Sequence, residues 1–459
     1  MERVDVAVIG GGPGGARAGE LAATNGADVV VLEKGVPRAD REGLGPDSTD
    51  AAGMLDYWVD ILDIPFEEFP DGVVLRELSG SDFIGPTERC HLARTGIEAS
   101  YDGFGFTFHR ARMDDWLRER AEEAGADYRV GTSVSRVESD LGDGHRHEVV
   151  LADGSSLEAE YLICADGPQR TITLSVLDQF LTDRQAADVM GPRESNHIAY
   201  QEYRRIPPEV FEDDVLKFWW GYIPGETAYP WIFPNDENIA RVGLTMPMAI
   251  DLEAVPNRDQ YALLDPDDET VPSGALYLRR LLEYEYGDRY DIESDFPLVE
   301  DRGKRGGTEA YAISSTRPID SPTTAGVAIV GGAMGTTSAF HEGGYHVAAR
   351  TGAIAGELAA TGELTRYNTT WKRAIGDEIL RNVCFAALVA DYGPADWDRA
   401  FRIANRMIRD EGEEGRLLRR RFTAGVGAIK YLLQYRRLKR RYRNGGYVKL
   451  AESAYTYTG

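Results

Sequence analysis

Val4-Asp5-Val6-Ala7-Val8-Ile9-Gly10-Gly11-Gly12-Pro13-Gly14-Gly15 decides the fold. Residues 4–9 read as a short buried strand. A glycine-rich turn follows, then an alanine-rich helix from Ala16 to Asn25, then a second apolar strand, Val29-Val30-Val31-Leu32, that ends on Glu33. Strand, turn, helix, strand and acidic terminus together make a dinucleotide-binding βαβ unit. Gly10 permits the tight turn off the strand. Gly12 has no Cβ, so a pyrophosphate can approach the backbone, and Gly15 lets the helix approach the sheet. The helix N-terminus offers N–H groups and a positive dipole end to phosphate. Glu33 suits a ribose diol and repels a 2′-phosphate.

The 459 residues suffice for two or three domains. Apolar residues make up 42 % and charged residues 28 %, a globular composition. No apolar run reaches the ~18–20 residues of a spanning helix. The chain runs straight into a strand, so a signal peptide is not expected. Cys90, Cys164 and Cys384 are isolated, with neither a metal spacing nor a disulfide framework, which suits a reducing cytoplasm. No metal site is expected.

The net charge is −25, and the 51 basic residues include only 7 Lys. Such an acidic, Lys-poor surface stays hydrated in high salt and points to a salt-loving microbe, with an acidic mesophile of GC-rich genome as the alternative. It disfavours nucleic acid as a partner. Residues 416–443 break the trend, carrying eleven basic and no acidic side chains interleaved with Leu, Ile and Tyr. That pattern fits an amphipathic segment on an anionic membrane surface, and equally a helix whose arginines pair with the acidic body of the same chain.

Further along, Arg38–Asp50 reads as a loop, 54–61 as a helix, and 108–123 as a helix. Asp153-Gly154 marks a hairpin turn between strands near 148–151 and 156–162. Tyr161-Leu162-Ile163-Cys164-Ala165 is a buried strand ending at Asp166-Gly167. The aromatic and β-branched alternation over 195–300 implies a mostly antiparallel sheet. Val327-Ala328-Ile329-Val330 is another buried strand, before a glycine-rich turn and a small-residue helix from about 343 to 361. The fold class is therefore α/β (α+β overall). A discontinuous Rossmann-like domain (1–194 and 301–365) carries an inserted antiparallel-sheet domain (195–300), followed by a helical C-terminal region (366–459).

Several separated motifs resemble one family over about residues 1–365. The opening glycines with Glu33-Lys34, Arg110 with Asp114 and Trp116-Leu117, Ala165-Asp166-Gly167, and Tyr229-Pro230-Trp231-Ile232-Phe233-Pro234 are similar to the motifs of FAD-dependent geranylgeranyl reductases. These are flavoproteins of the para-hydroxybenzoate hydroxylase fold. The resemblance implies FAD held by Gly10, Gly12, Pro13, Gly14, Gly15, Glu33, Lys34, Arg110, Val134, Asp166, Gly167, Gly332, Gly343 and Gly344. It implies a prenyl-chain lipid substrate against Tyr229, Trp231, Phe233 and Pro234. On bare geometry, period-two alternation puts Tyr229, Trp231 and Phe233 on one strand face, a large apolar wall.

One position departs from the pattern. Gly332 stands where the group has an Asp that hydrogen-bonds the ribityl chain, and its loss removes a contact of roughly 1.5–3 kcal/mol. No cysteine stands at 40–50, where some members have one. Hydride transfer to an isolated alkene needs a proton source. His341, in the loop expected beside the flavin, and Tyr229 are the candidates. The electron donor implied by the family is diffusible: ferredoxin, NAD(P)H or a reduced deazaflavin. The alternatives are a flavin monooxygenase, a dehydrogenase passing electrons to quinone, and a non-catalytic flavoprotein-derived binding protein. The expected location is the cytoplasm, with the inner membrane face as a peripheral option.

Overall fold

A computed structural model describes residues 1–36, 52–142, 144–191, 197–303, 305–314, 317–411 and 425–457. The loop expected at 38–50 lies outside the described residues, as do Arg416, Arg419, Arg420 and Arg421 of the basic segment.

The opening motif folds as strand Glu2–Ile9, helix Pro13–Thr24 and strand Val29–Leu32. These strands lie parallel, and Ser156–Cys164 runs parallel on the other side of the first. Asp127–Arg129 flanks Val29–Leu32. The far side of Ser156–Cys164 is shared: Arg146–Leu151 covers its N-terminal half antiparallel, and Val327–Ile329 its C-terminal half parallel. Val29–Leu32 is buried throughout, the uniform apolarity of a parallel strand covered on both faces.

Helix Pro13–Thr24 lies against helix Tyr345–Ala360 at backbone distance. A Cβ on Gly352 would sit 1.9 Å from the Gly14 carbonyl oxygen, and one on Gly356 would sit 2.1 Å from that of Ala18. The small residues noted in the second helix are therefore its contact seam. They tie the loop before that helix to the opening glycine turn.

The second sheet is larger than the expected 195–300. Its order is Thr308–Ile313, His197–Arg205, Ile239–Pro247, Tyr229–Pro234, Val215–Trp219, Gly80–Ile84 and Arg89–Leu92. Gly80–Ile84 joins parallel to Val215–Trp219, and the remaining pairs are antiparallel. Thus 80–92 and 308–313 contribute strands to it. One face carries Ile232, Val242 and Leu244 and packs against Tyr277, Leu278, Leu281 and Leu282 of helix Gly274–Tyr286. That helix starts where the Ser273 side chain accepts from the Leu276 N–H. Each such buried Leu contributes about 1.5–3 kcal/mol of transfer free energy. The opposite face presents Tyr229, Trp231 and Phe233.

A small third sheet, Gly53–Leu55, Gly105–Phe108 and Val74–Leu78, bridges the two. Residues 54–61, expected wholly helical, split into that first strand and helix Asp56–Leu62.

The C-terminal helices Tyr367–Val389, Pro394–Glu411 and Gly425–Tyr442 are part of the body. The Tyr367 hydroxyl donates to the Ile329 carbonyl at 2.9 Å. The Asp398 carboxylate accepts from the Thr87 and Glu88 N–H groups at 2.9 and 3.1 Å, so Pro394–Glu411 is pinned to the turn after Gly80–Ile84. No described helix is long and apolar enough to cross a membrane.

Candidate active site

The two large sheets flank a half-open cavity of about 1010 Å³. Its walls bring together Gly12, Pro13, Gly14, Lys34, Arg110, Asp166, Gly167, Gly332, Gly343 and Gly344 from the cofactor set, and Tyr229, Trp231, Phe233 and His341 from the substrate and catalytic set. Gly10, Gly15, Glu33, Val134 and Pro234 do not line it. Val134 opens strand Val134–Asp140 opposite Leu151 and packs on the core of the first sheet, so burial of its apolar side chain explains it. Pro234 ends its strand opposite Ala240.

The glycines divide by what surrounds them. Gly10 has φ +101°, and a Cβ there would meet the Ala165 carbonyl oxygen at 2.4 Å. One on Gly15 would lie 1.8 Å from the Gly10 carbonyl oxygen. Both are required by the turn itself. Gly12 differs, because a Cβ there meets nothing within 4 Å. Gly12 is the N-cap of helix Pro13–Thr24 and gives it no side-chain cap. An uncapped helix terminus thus opens on vacant space in the cavity wall, the setting for a pyrophosphate.

Glu33 acts within this turn. Its carboxylate accepts from the Gly11 and Gly35 N–H groups, each at 2.6 Å. Those two bonds leave lone pairs for a ribose. Asp166 accepts from the Ile172 and Thr173 N–H groups at 2.7 and 3.1 Å and from the Thr173 hydroxyl, so it caps helix Thr171–Asp178 while facing the cavity. Arg110 is paired with Asp114 at 2.9 Å and lies 4.6 Å over the Tyr345 ring. Gly332 belongs to a short helical turn, Gly331–Met334, whose carbonyls are clamped by buried Arg170: Nε donates to Ala333 and Nη2 to Gly332, both at 2.9 Å. A Cβ on Gly332 would meet the Pro168 ring at 3.3 Å, a tight contact.

These residues fit a flavin nucleotide: an open anion cradle, a cationic rim of Lys34 and Arg110, and a second helix terminus at Gly344.

The opposite wall is aromatic. Tyr229, Trp231 and Phe233 pair with Thr245, Gly243 and Arg241 across the ladder. Gly243 lets the Trp231 indole lie on the sheet, since a Cβ there would be 2.4 Å from the ring. Trp220 extends the wall, stacking on Tyr229 at 4.3 Å and Phe340 at 5.5 Å. Trp397, from the C-terminal helices, covers Trp220 from behind at 4.4 Å.

The loop between strand and helix, 335–344, joins the two walls. The Tyr229 hydroxyl donates to the His341 carbonyl at 2.7 Å. The His341 Nδ1 accepts from the Gly343 N–H at 3.1 Å, so that N–H of the glycine pair is already used. Burial, together with the Arg381 charge, lowers the His341 pKa to about 3. That shift favours the neutral imidazole.

Sequence reasoning missed Trp58, Trp220, Glu342 and Asn382, all in the cavity lining. Trp58 stacks on His346 at 4.2 Å and tilts over His341 at 4.9 Å. Only the aromatic run ending in Trp219-Trp220 carried a signal.

The fold and this site define a flavin-dependent oxidoreductase. Over 413 residues the chain is 26 % identical to digeranylgeranylglycerophospholipid reductase 2 of Methanothermobacter thermautotrophicus, covering 87 % of this chain and 91 % of that one. It is 27 % identical over 389 residues to the protein of the same name from Methanopyrus kandleri, covering 81 % and 83 %. The structure matches a geranylgeranyl bacteriochlorophyll reductase-like protein from Thermoplasma acidophilum with TM-score 0.65 at 20 % identity, covering 97 % and 99 % of the chains. The myxobacterial chondrochloren halogenase, an FAD-dependent enzyme, matches with TM-score 0.56 at 18 % identity over 96 % and 97 %. Residues 87–190 match the tryptophan halogenase family. The chain is thus a homologue of the archaeal digeranylgeranylglycerophospholipid reductases, on a fold shared with FAD-dependent halogenases.

Proposed function

We propose that this chain is an FAD-dependent reductase that saturates carbon–carbon double bonds of a geranylgeranyl-type lipid. The observation that carries it is one continuous cavity joining the open cradle at Gly12 to the wall of Tyr229, Trp231 and Phe233. When bound, reduced FAD supplies the hydride equivalent. The chain's residues do the rest. The Gly12–Gly14 turn and Lys34 hold the diphosphate, and Glu33 takes the ribose. The aromatic wall aligns the prenyl chain and keeps water from the reacting carbons.

The electron donor in this reading is diffusible, a ferredoxin, NAD(P)H or a reduced deazaflavin. Membrane contact is part of it too. On helix Gly425–Tyr442, Ile429, Leu432 and Leu433 are exposed beside Lys430, Arg436 and Arg437. A surface that is both apolar and basic suits anionic lipid, where the substrate resides. Flotation with anionic vesicles, lost on Leu432→Glu/Leu433→Glu, tests it.

The central test is spectroscopic. The purified protein takes up FAD, and after anaerobic reduction by dithionite a geranylgeranylated glycerolipid reoxidises it, with a product two mass units heavier per bond. A second reading, oxygen-dependent chemistry, is favoured by the match over 87–190. It requires O₂ uptake during turnover and no lipid-driven reoxidation.

A further inference from the structure

Glu342 stands out among the residues to which no role has yet been given. It has φ +58°, a left-handed conformation that costs a residue with a Cβ about 1–2 kcal/mol, and its neighbours Gly343 and Gly344 would have adopted it freely. Its side chain is 3 % exposed and belongs to the cavity lining. The carboxylate reaches from the glycine loop to the substrate-facing side of the second sheet. There it accepts from the Thr245 hydroxyl and, at 3.5 Å, from the Thr227 hydroxyl, with the His197 Nε2 also 3.5 Å away. Thr245 is directly opposite Tyr229 in the ladder, so the carboxyl sits beside the aromatic wall. His197 Nε2 is also 2.9 Å from the Glu226 carbonyl oxygen.

We propose that Glu342 is the acid that protonates the alkene. The inference rests on the reductase reading above. In the step, the Glu342 carboxyl O–H bond breaks and a C–H bond forms at one alkene carbon. The two electrons and the second hydrogen reach the neighbouring carbon as the hydride equivalent that reduced FAD supplies. Glu342 is left as a carboxylate between Thr245, Thr227 and His197 and takes a proton from solvent before the next turnover. Two observations support the assignment over the other candidates. Burial raises the Glu342 pKa, against the opposing pull of His197 and the two threonines, which favours the protonated carboxyl. The Tyr229 proton is committed to a backbone carbonyl, and the lowered pKa of His341 favours its neutral ring.

The test uses the full-length protein and Glu342→Gln, which keeps the shape and hydrogen-bonding capacity and removes the acid. In FAD-free protein near neutral pH, infrared spectroscopy shows a protonated-carboxyl stretch in the wild type that is lost in Glu342→Gln. With FAD bound, both proteins are reduced by dithionite and reoxidised by ferricyanide alike. With a geranylgeranylated glycerolipid the variant is slower by about 100-fold or more, the scale of a general acid. Reoxidation by lipid within about threefold of wild type, or no difference in the carboxyl stretch, overturns the inference and leaves the reductase reading intact. A wild type inert to every prenyl lipid overturns the reductase reading itself. Should Glu342→Gln fail to take up FAD, Thr245→Val serves instead: it releases the carboxyl without replacing it, and the proposal requires a shifted carboxyl stretch and an altered pH profile of lipid-driven reoxidation.

Discussion

Tyr229 and His341, 112 residues apart, meet in one hydrogen bond: the phenol donates to the backbone carbonyl over 2.7 Å. The bond couples the substrate wall to the loop that leads into helix Tyr345–Ala360. Tyr229→Phe keeps the wall and removes the bond. A loss of about 0.5–1.5 kcal/mol is expected in urea unfolding, with weaker FAD binding because the loop is no longer anchored. A titration of FAD fluorescence checks the second effect.

Gly12 and Gly356 lie on the same pair of helices and answer opposite questions. Gly12→Val is expected to cost the FAD-free protein only about 1 kcal/mol, the loss of a favourable N-cap residue, because a Cβ there meets nothing within 4 Å. It fills the cradle, so FAD uptake is lost. Retained uptake removes the cradle from the site.

Gly356→Ala places a methyl 2.1 Å from the Ala18 carbonyl oxygen, so the helices must part. The expected cost is about 1–3 kcal/mol, seen in thermal melts of FAD-free protein. FAD binding then weakens only as far as the helix seam shifts.

Acid stability follows from buried imidazoles. Burial lowers His341 to about 3 and, with His145 nearby, lowers His147 to about 4. The unfolded value is about 6.5. Below that value the unfolded chain binds protons that the native state refuses. Stability is therefore complete above about pH 6.5 and falls as the pH drops toward the native values. His341→Gln is expected to lessen the decline between about pH 6.5 and pH 4 in urea midpoints, at a rate approaching 1.4 kcal/mol per pH unit. An unchanged slope in the variant contradicts a neutral His341.

What the sequence made legible was local. Gly10, Gly12 and Gly15 announce a turn because a turn's geometry is set within a few residues, and Asp166-Gly167 and Tyr229–Pro234 are likewise read in place. Gly80-Ser81-Asp82-Phe83-Ile84 gave no such sign. Its place in the second sheet depends on parallel pairing with Val215–Trp219, more than 130 residues on. Glu342, next to His341 in the glycine loop, carries no signal in the sequence, since its surroundings come from His197, Thr227 and Thr245. A carboxylate's chemistry is written by its neighbours, and these are distant in the chain. The C-terminal region reads only as helical, because its contacts, such as Asp398 with Thr87, are also distant in the chain.

The placement of Val327–Ile329 against Ser156–Cys164, and of Thr308–Ile313 on the rim of the other layer, sets a timetable for synthesis. The second layer cannot be completed before Ile313 has left the ribosome, nor the first before Ile329, so unpaired strand borders stay open through most of translation. Nascent chains stalled short of Ile329 are expected to aggregate or to need a chaperone, while those extending past it become protease-resistant.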